Sequence, residues 1–123
     1  MDSLLSIDKF AQLLLDKKRN LILNLNPVNL NRGIDGLTQI ARTRGFDLEN
    51  GVDTMIFVSK SRKLLKLVGY DEVGPFMLTR KLARGSYQKI LDRVEGNGTL
   101  ELTITELALY LDGERIRVDS SRC

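Results

Sequence analysis

The sequence has no histidine, no tryptophan, one cysteine and two prolines in 123 residues. Without histidine there is no Ser/His/Asp triad, no Cys/His dyad and no zinc site of His and Cys ligands. The one cysteine, Cys123, is the last residue, so no internal disulfide forms, a usage that fits a reducing cytosol. Aromatics are scarce at 6%, and Pro27 and Pro75 stand too far apart to mark a proline-rich linker. Long apolar runs are missing too. Leu13-Leu14-Leu15 falls far short of the ~18 apolar residues of a spanning helix. Asp2 and Asp8 occupy the stretch where a secretory signal carries positive charge and an apolar core. The expectation is a cytoplasmic protein with no membrane partner.

What is present suits one globular domain: 42% hydrophobic and 28% charged residues. Nineteen basic and 16 acidic residues give a net charge of +3, too small to identify a partner by itself. The distribution says more. Residues 60–93 carry nine basic and three acidic side chains, whereas residues 94–123 carry six acidic and three basic.

Residues 4–18 read as an amphipathic helix, with Ile7, Phe10, Ala11 and Leu14 at helical spacing and Lys17, Lys18 and Arg19 complementing its C-terminal end. Residues 21–25 form a short apolar run ended by Asn26-Pro27, a strand. Asn31 is expected to cap a second helix running to about Arg44, with Gly45 as its stop. Gly33 and Gly36 inside it cost roughly 1 kcal/mol each relative to Ala, which points to close backbone approach there. Three runs of strand formers follow at 54–60, 63–70 and 76–82, joined by turns short enough to make the strands antiparallel neighbours. After a turn at 95–98 come a strand at 100–102, a Thr103-x-x-Glu106 capping box before Leu107, Tyr110 and Leu111, and a stop at Asp112-Gly113. Residues 115–118 are expected to return as an edge strand, and 119–123 as a frayed tail. The fold class is therefore α+β: an antiparallel sheet of about five strands, a meander open or curled into a small barrel, with two to three flanking helices. The expected layout is an N-terminal helical extension over 1–20, one domain over 21–118, and the tail.

In such a meander, Lys60, Arg62 and Lys63 at the first turn lie near Arg80, Lys81 and Arg84 at the end of the third strand. Six cations then gather at one end of the sheet, with Lys66 farther along a strand as a seventh candidate. Cations in that arrangement neutralise phosphates in a salt-dependent, largely sequence-blind way. Charged strand ends also guard sheet edges against aggregation. Stacking on single strands would need exposed aromatics, and Tyr70, Phe76 and Tyr87 are the nearby rings, with a core role as their alternative.

The order of motifs resembles a known family. Asn31-Arg32-Gly33-Ile34-Asp35-Gly36-Leu37 is similar to a Met-Arg-Lys-Gly-Phe-Asp-Gly-Leu segment of the TnpB-type accessory proteins of insertion-sequence family sixty-six. Ile56-Phe57-Val58 through Lys63-Leu64-Leu65-Lys66-Leu67 resembles that family's Phe-Val-Phe, basic turn and Leu-Lys-Ile-Leu. Tyr70-Asp71-Glu72-Val73-Gly74, the stretch from Leu78 to Tyr87, and Leu102-Thr103-Ile104-Thr105-Glu106-Leu107 with Leu111-Asp112-Gly113 follow in the family's order. The family's tryptophans are missing, Glu72 stands for a turn glycine and Ile104 for a proline. The resemblance spans residues 21 to 118. It implies a transposition accessory protein, encoded beside a separate transposase, with no established catalytic residues.

A metal-dependent nuclease needs several carboxylates converging within a few ångströms. Asp35, Asp71, Glu72 and Asp92 fall on separate elements, and the one acidic-x-Lys tripeptide, Asp16-Lys17-Lys18, sits at a helix end. The chain therefore reads as a non-enzyme without cofactor or metal. Two function classes stay open. One is a DNA-binding accessory factor using the cationic end. The other is a protein–protein module that docks on the transposase or forms a homodimer through Phe10 and Leu14 of the first helix.

Overall fold

The computed structural model describes residues 19–90 and 98–117. The expected helix over 4–18, with Phe10 and Leu14, lies outside them, as do Asp92 and the tail. Five strands are present: β1 (Asn20–Asn24), β2 (Asp53–Val58), β3 (Leu64–Tyr70), β4 (Pro75–Lys81) and β5 (Thr99–Leu102). The described residues also form two α-helices, α1 (Ile34–Thr43) and α2 (Ile104–Leu111), and a short 3-10 turn over Leu48–Asn50. None of these helices is long and apolar enough to cross a membrane.

The sheet runs β4-β3-β2-β1-β5. Two corrections to the expected fold follow. First, the sheet is mixed: β1 and β2 pair in parallel, from Asn20 against Asp53 to Leu23 against Ile56, while the other three pairs are antiparallel. A parallel pair needs a crossover of a dozen or more residues, and the chain between β1 and β2 supplies one containing α1. Second, the sheet is open, with β4 and β5 as its two edges, so no barrel closes.

Position in the sheet explains the strand sequences. β1 and β2, in the interior with both faces covered, are continuous apolar runs, whereas edge strand β4 ends in exposed Thr79, Arg80 and Lys81. Alternation along the strands sends side chains to two separate cores. Leu21, Leu23, Ile56, Leu65 and Leu67 face one side, where Leu107 and Tyr110 of α2, Tyr87 and Ile116 cover them. Ile22, Met55, Phe57 and Val68 face the other, against Leu37 and Ala41 of α1 and Leu48.

The helix ends differ in how well they match the sequence. At α2 the expected capping box is formed: Thr103 Oγ1 accepts the Glu106 N–H at 3.1 Å, and Glu106 Oε1 accepts the Thr103 N–H at 2.9 Å. At α1 the N-cap is Gly33, without a side-chain bond, and not Asn31. Asn31 lies in the preceding loop, its N–H taken by Asn29 Oδ1 at 2.9 Å, so the helix starts later than expected. Gly45, at φ +89°, follows the C-cap Arg44 where the sequence predicts the stop. The expected edge strand after α2 is not formed by the described residues 115–117. The Gln88 amide takes Ile116's main-chain groups instead, accepting its N–H at 2.7 Å and donating to its carbonyl at 3.2 Å.

Candidate nucleic-acid interface

The β2–β3 turn is closed by the Arg62 N–H on the Ser59 carbonyl at 2.9 Å, and the Ser59 N–H on the Leu64 carbonyl at 2.9 Å. Arg62 adopts φ +62°, uncommon for a residue with a side chain. The chain leaving β4 lies alongside this turn. Leu82 N–H donates to the Lys63 carbonyl at 2.9 Å, and Tyr87 N–H donates to the Arg62 carbonyl at 2.6 Å. Main-chain bonds thus join the segment holding Lys60, Arg62 and Lys63 to the one following Arg80 and Lys81 and holding Arg84. Lys60, Lys63, Arg80, Lys81 and Arg84 are exposed and Arg62 is half-buried.

These cations share one end of the sheet but not one face. Arg80 points to the α2 side, where its Nη2 lies 3.5 Å from Asp112 Oδ1. Arg62 lies near Tyr110 of α2, where burial pushes the hydroxyl up to about 12 and the Arg62 charge offsets part of that rise. Lys81, paired with Leu64, alternates to the α1 side. Lys66 is set apart from the exposed group: half-buried, its Nζ donates to the Leu30 carbonyl at 2.8 Å. Sequence spacing gives no sign of the arrival of Asp112 beside Arg80. Both partners are exposed, so the pair is weak and leaves Arg80 available to a stronger anion.

The loop after β1 also reaches this region. The loop between β1 and α1 bends back so that Val28 bridges Ser59, its N–H on the Val58 carbonyl at 3.0 Å, and exposed Arg32 lies farther along that loop. The loop's return to β2 accompanies the parallel β1–β2 pairing, which local spacing does not encode.

The aromatic rings are placed in the cores. Tyr87 and Tyr110 are buried and stack with centroids 5.2 Å apart, and Phe76 is buried beneath Arg19. Tyr70 is half-buried at the opposite end of β3. Among the described residues the carboxylates do not converge. Asp71 Oδ1 accepts the N–H groups of Val73 and Gly74 at 2.8 and 3.1 Å, which makes it a turn former. Asp35 is exposed in the first turn of α1. Among the described residues no three His, Cys, Asp or Glu side chains gather where they could hold a metal ion.

One family model, described as IS66 Orf2 like protein, matches the chain over residues 19–120. The chain belongs to that family. No curated protein and no solved structure matches it. Membership in the IS66 Orf2-like family associates the chain with IS66 transposition as an accessory protein. The matched span takes in both cores, both helices and every cation of the sheet end, and it begins just after the expected N-terminal helix.

Proposed function

We propose that this IS66 Orf2-like protein is a non-enzymatic accessory factor of DNA transposition that binds DNA phosphates through the cationic end of its sheet. The observation that supports this most is the pair of main-chain bonds from Leu82 to Lys63 and from Tyr87 to Arg62. They hold two cationic segments, distant in sequence, in a fixed relation, so that phosphate binding need not order a flexible loop. Exposed Lys60, Lys63, Arg80, Lys81 and Arg84 each carry a charge to that end, and neutralising phosphates with such side chains releases condensed counterions.

The test is a mobility shift with the full chain at about 50 mM salt, where phosphate contacts are strongest. Wild type is expected to retain DNA, and the Lys63→Glu/Arg80→Glu double variant, checked for an unchanged circular dichroism spectrum, is expected to lose it. Absence of retention by wild type overturns the proposal. A transposase that co-purifies with the chain in high salt would then favour docking as its role.

A further inference from the structure

A lone hairpin would project its turn, and a two-stranded ribbon is narrow enough to enter the DNA major groove. The β2–β3 turn is not free to do so. The chain after β4 is bonded along it at Lys63 and Arg62, and the Tyr87 ring anchors that strap in the core against Tyr110. The rim therefore spans β2, β3 and β4 together. Neighbouring strands stand about 4.8 Å apart, so three of them measure about 10 Å between backbones before any side chain is added. That exceeds what a groove of about 12 Å admits once the lysines and arginines are included. The rim can lie across phosphates but cannot insert between them.

The chemistry of the rim agrees with its shape. The Ser59 and Ser61 hydroxyls bond each other at 3.2 Å, and Ser59 Oγ also accepts the Leu64 N–H. The Gln88 amide is taken at both ends by Ile116. Phe57, Tyr87 and Tyr110, the rings closest to this end among the described residues, are buried, so bases splayed from a single strand find no stacking platform there. What the rim offers is positive charge distributed to both sides of the sheet.

Resting on the DNA-binding reading above, we infer that the nucleic acid held by this end is duplex DNA, gripped through its phosphates alone and without regard to base sequence. Duplex is favoured because its charge density exceeds that of a single strand and, among the described residues, the rim presents no exposed aromatic ring on which bases could stack.

The experiment is fluorescence anisotropy of the full chain against two duplexes of unrelated sequence and the single strands of each, at about 50 and about 200 mM salt. The two duplexes are expected to bind alike, within about twofold, and the single strands several-fold more weakly. Four to five phosphate contacts, roughly, predict a loss of duplex affinity of about 100- to 500-fold between the two salt conditions. Lys60→Gln, at an exposed position, is expected to lower the salt slope by about one on both duplexes equally. A single strand bound as tightly as duplex, or one duplex preferred by about tenfold or more, overturns this inference while leaving DNA binding in place. Failure to bind any probe at the lower salt overturns the DNA-binding reading itself, and this inference with it.

Discussion

The ring of Phe76 fills the space that a side chain at Gly69 would need: a Cβ there would stand 2.7 Å from the ring's Cζ and 3.0 Å from Thr54 Oγ1. The two residues are opposite one another on β3 and β4. Neither neighbour can yield easily, because the buried Arg19 guanidinium lies 5.2 Å over the Phe76 ring and donates to Thr54 Oγ1 at 3.3 Å and to the Tyr70 carbonyl at 2.9 Å. Burial pulls the Arg19 pKa below its ordinary value, and the Asp71 carboxylate opposes that shift. Gly69→Ala is expected to destabilise the fold by about 1–3 kcal/mol through overpacking, measured by urea unfolding. Phe76→Leu in the same chain should restore part of the loss. Gly33→Ala, where nothing lies within 4 Å, should cost only a few tenths of a kcal/mol. An equal loss at both glycines would refute the steric account. Of the two glycines at which the sequence suggested close approach, Gly33 has open space, whereas a Cβ at Gly36 would stand 3.1 Å from the Arg32 Cβ; the tighter contact, at Gly69, was not anticipated.

The Thr103–Glu106 capping box satisfies N–H groups that α2 would otherwise leave open, and α2 carries Leu107 and Tyr110 into the core. Thr103→Ala is expected to cost about 1 kcal/mol in urea unfolding, and Thr103→Ser to recover most of it. A Ser variant as unstable as the Ala variant would show that the hydroxyl bond is not the source of the effect.

Tyr87 and Tyr110 predict an alkaline limit to stability. Burial pushes both hydroxyls from 10.0 up to about 12; nearby Arg80 offsets part of the rise at Tyr87, where Asp112 adds to it, and Arg62 offsets part at Tyr110. Their pKa values are higher folded than unfolded, so the contribution is intact below pH 10.0 and is lost as pH rises through about 12. The melting temperature should fall across that window and fall less steeply in Tyr87→Phe/Tyr110→Phe. That variant starts lower, having lost the 3.0 Å bond from the Tyr110 hydroxyl to the Gln88 carbonyl. Parallel slopes in the two proteins would exclude the tyrosines as the cause.

Local signals made much of this fold legible. Strands β2 to β4 announce themselves by apolar runs separated by turns, and α2 by its capping box, because each depends on residues close in sequence. The proximity of Lys63 to the chain after Arg80 followed from the same short turns. The parallel β1–β2 pairing joins residues some thirty apart, Asn20 to Asp53, through a helix that is legible locally but whose effect on strand direction is not. The Val28–Ser59 bridge and the Asp112–Arg80 contact depend in turn on how loops and helices lie over the sheet, which no local pattern encodes. The helix expected over 4–18, with Phe10 and Leu14, falls outside the described residues.

Strand alternation also divides the lysines that the sequence placed in one candidate set. Lys66 pairs across the sheet with Phe57, on the α1 side, and its ammonium is committed to the Leu30 carbonyl, tying the loop after β1 to the sheet. Lys63 is exposed beside the turn, its carbonyl bonded to Leu82 and its side chain open to solvent. Lys66→Met keeps most of the aliphatic stem but removes the donor, so it should lower stability by about 1–2 kcal/mol. Retention of DNA should be unaffected. Lys63→Met should do the opposite, changing stability by no more than about 0.5 kcal/mol while weakening retention and its salt dependence. Paired urea unfolding and mobility-shift measurements on the two variants separate these effects. If Lys66→Met weakened DNA retention while leaving stability unchanged, its ammonium would have to leave Leu30 for a phosphate in the complex, and the division between a structural lysine and a contacting one would fail.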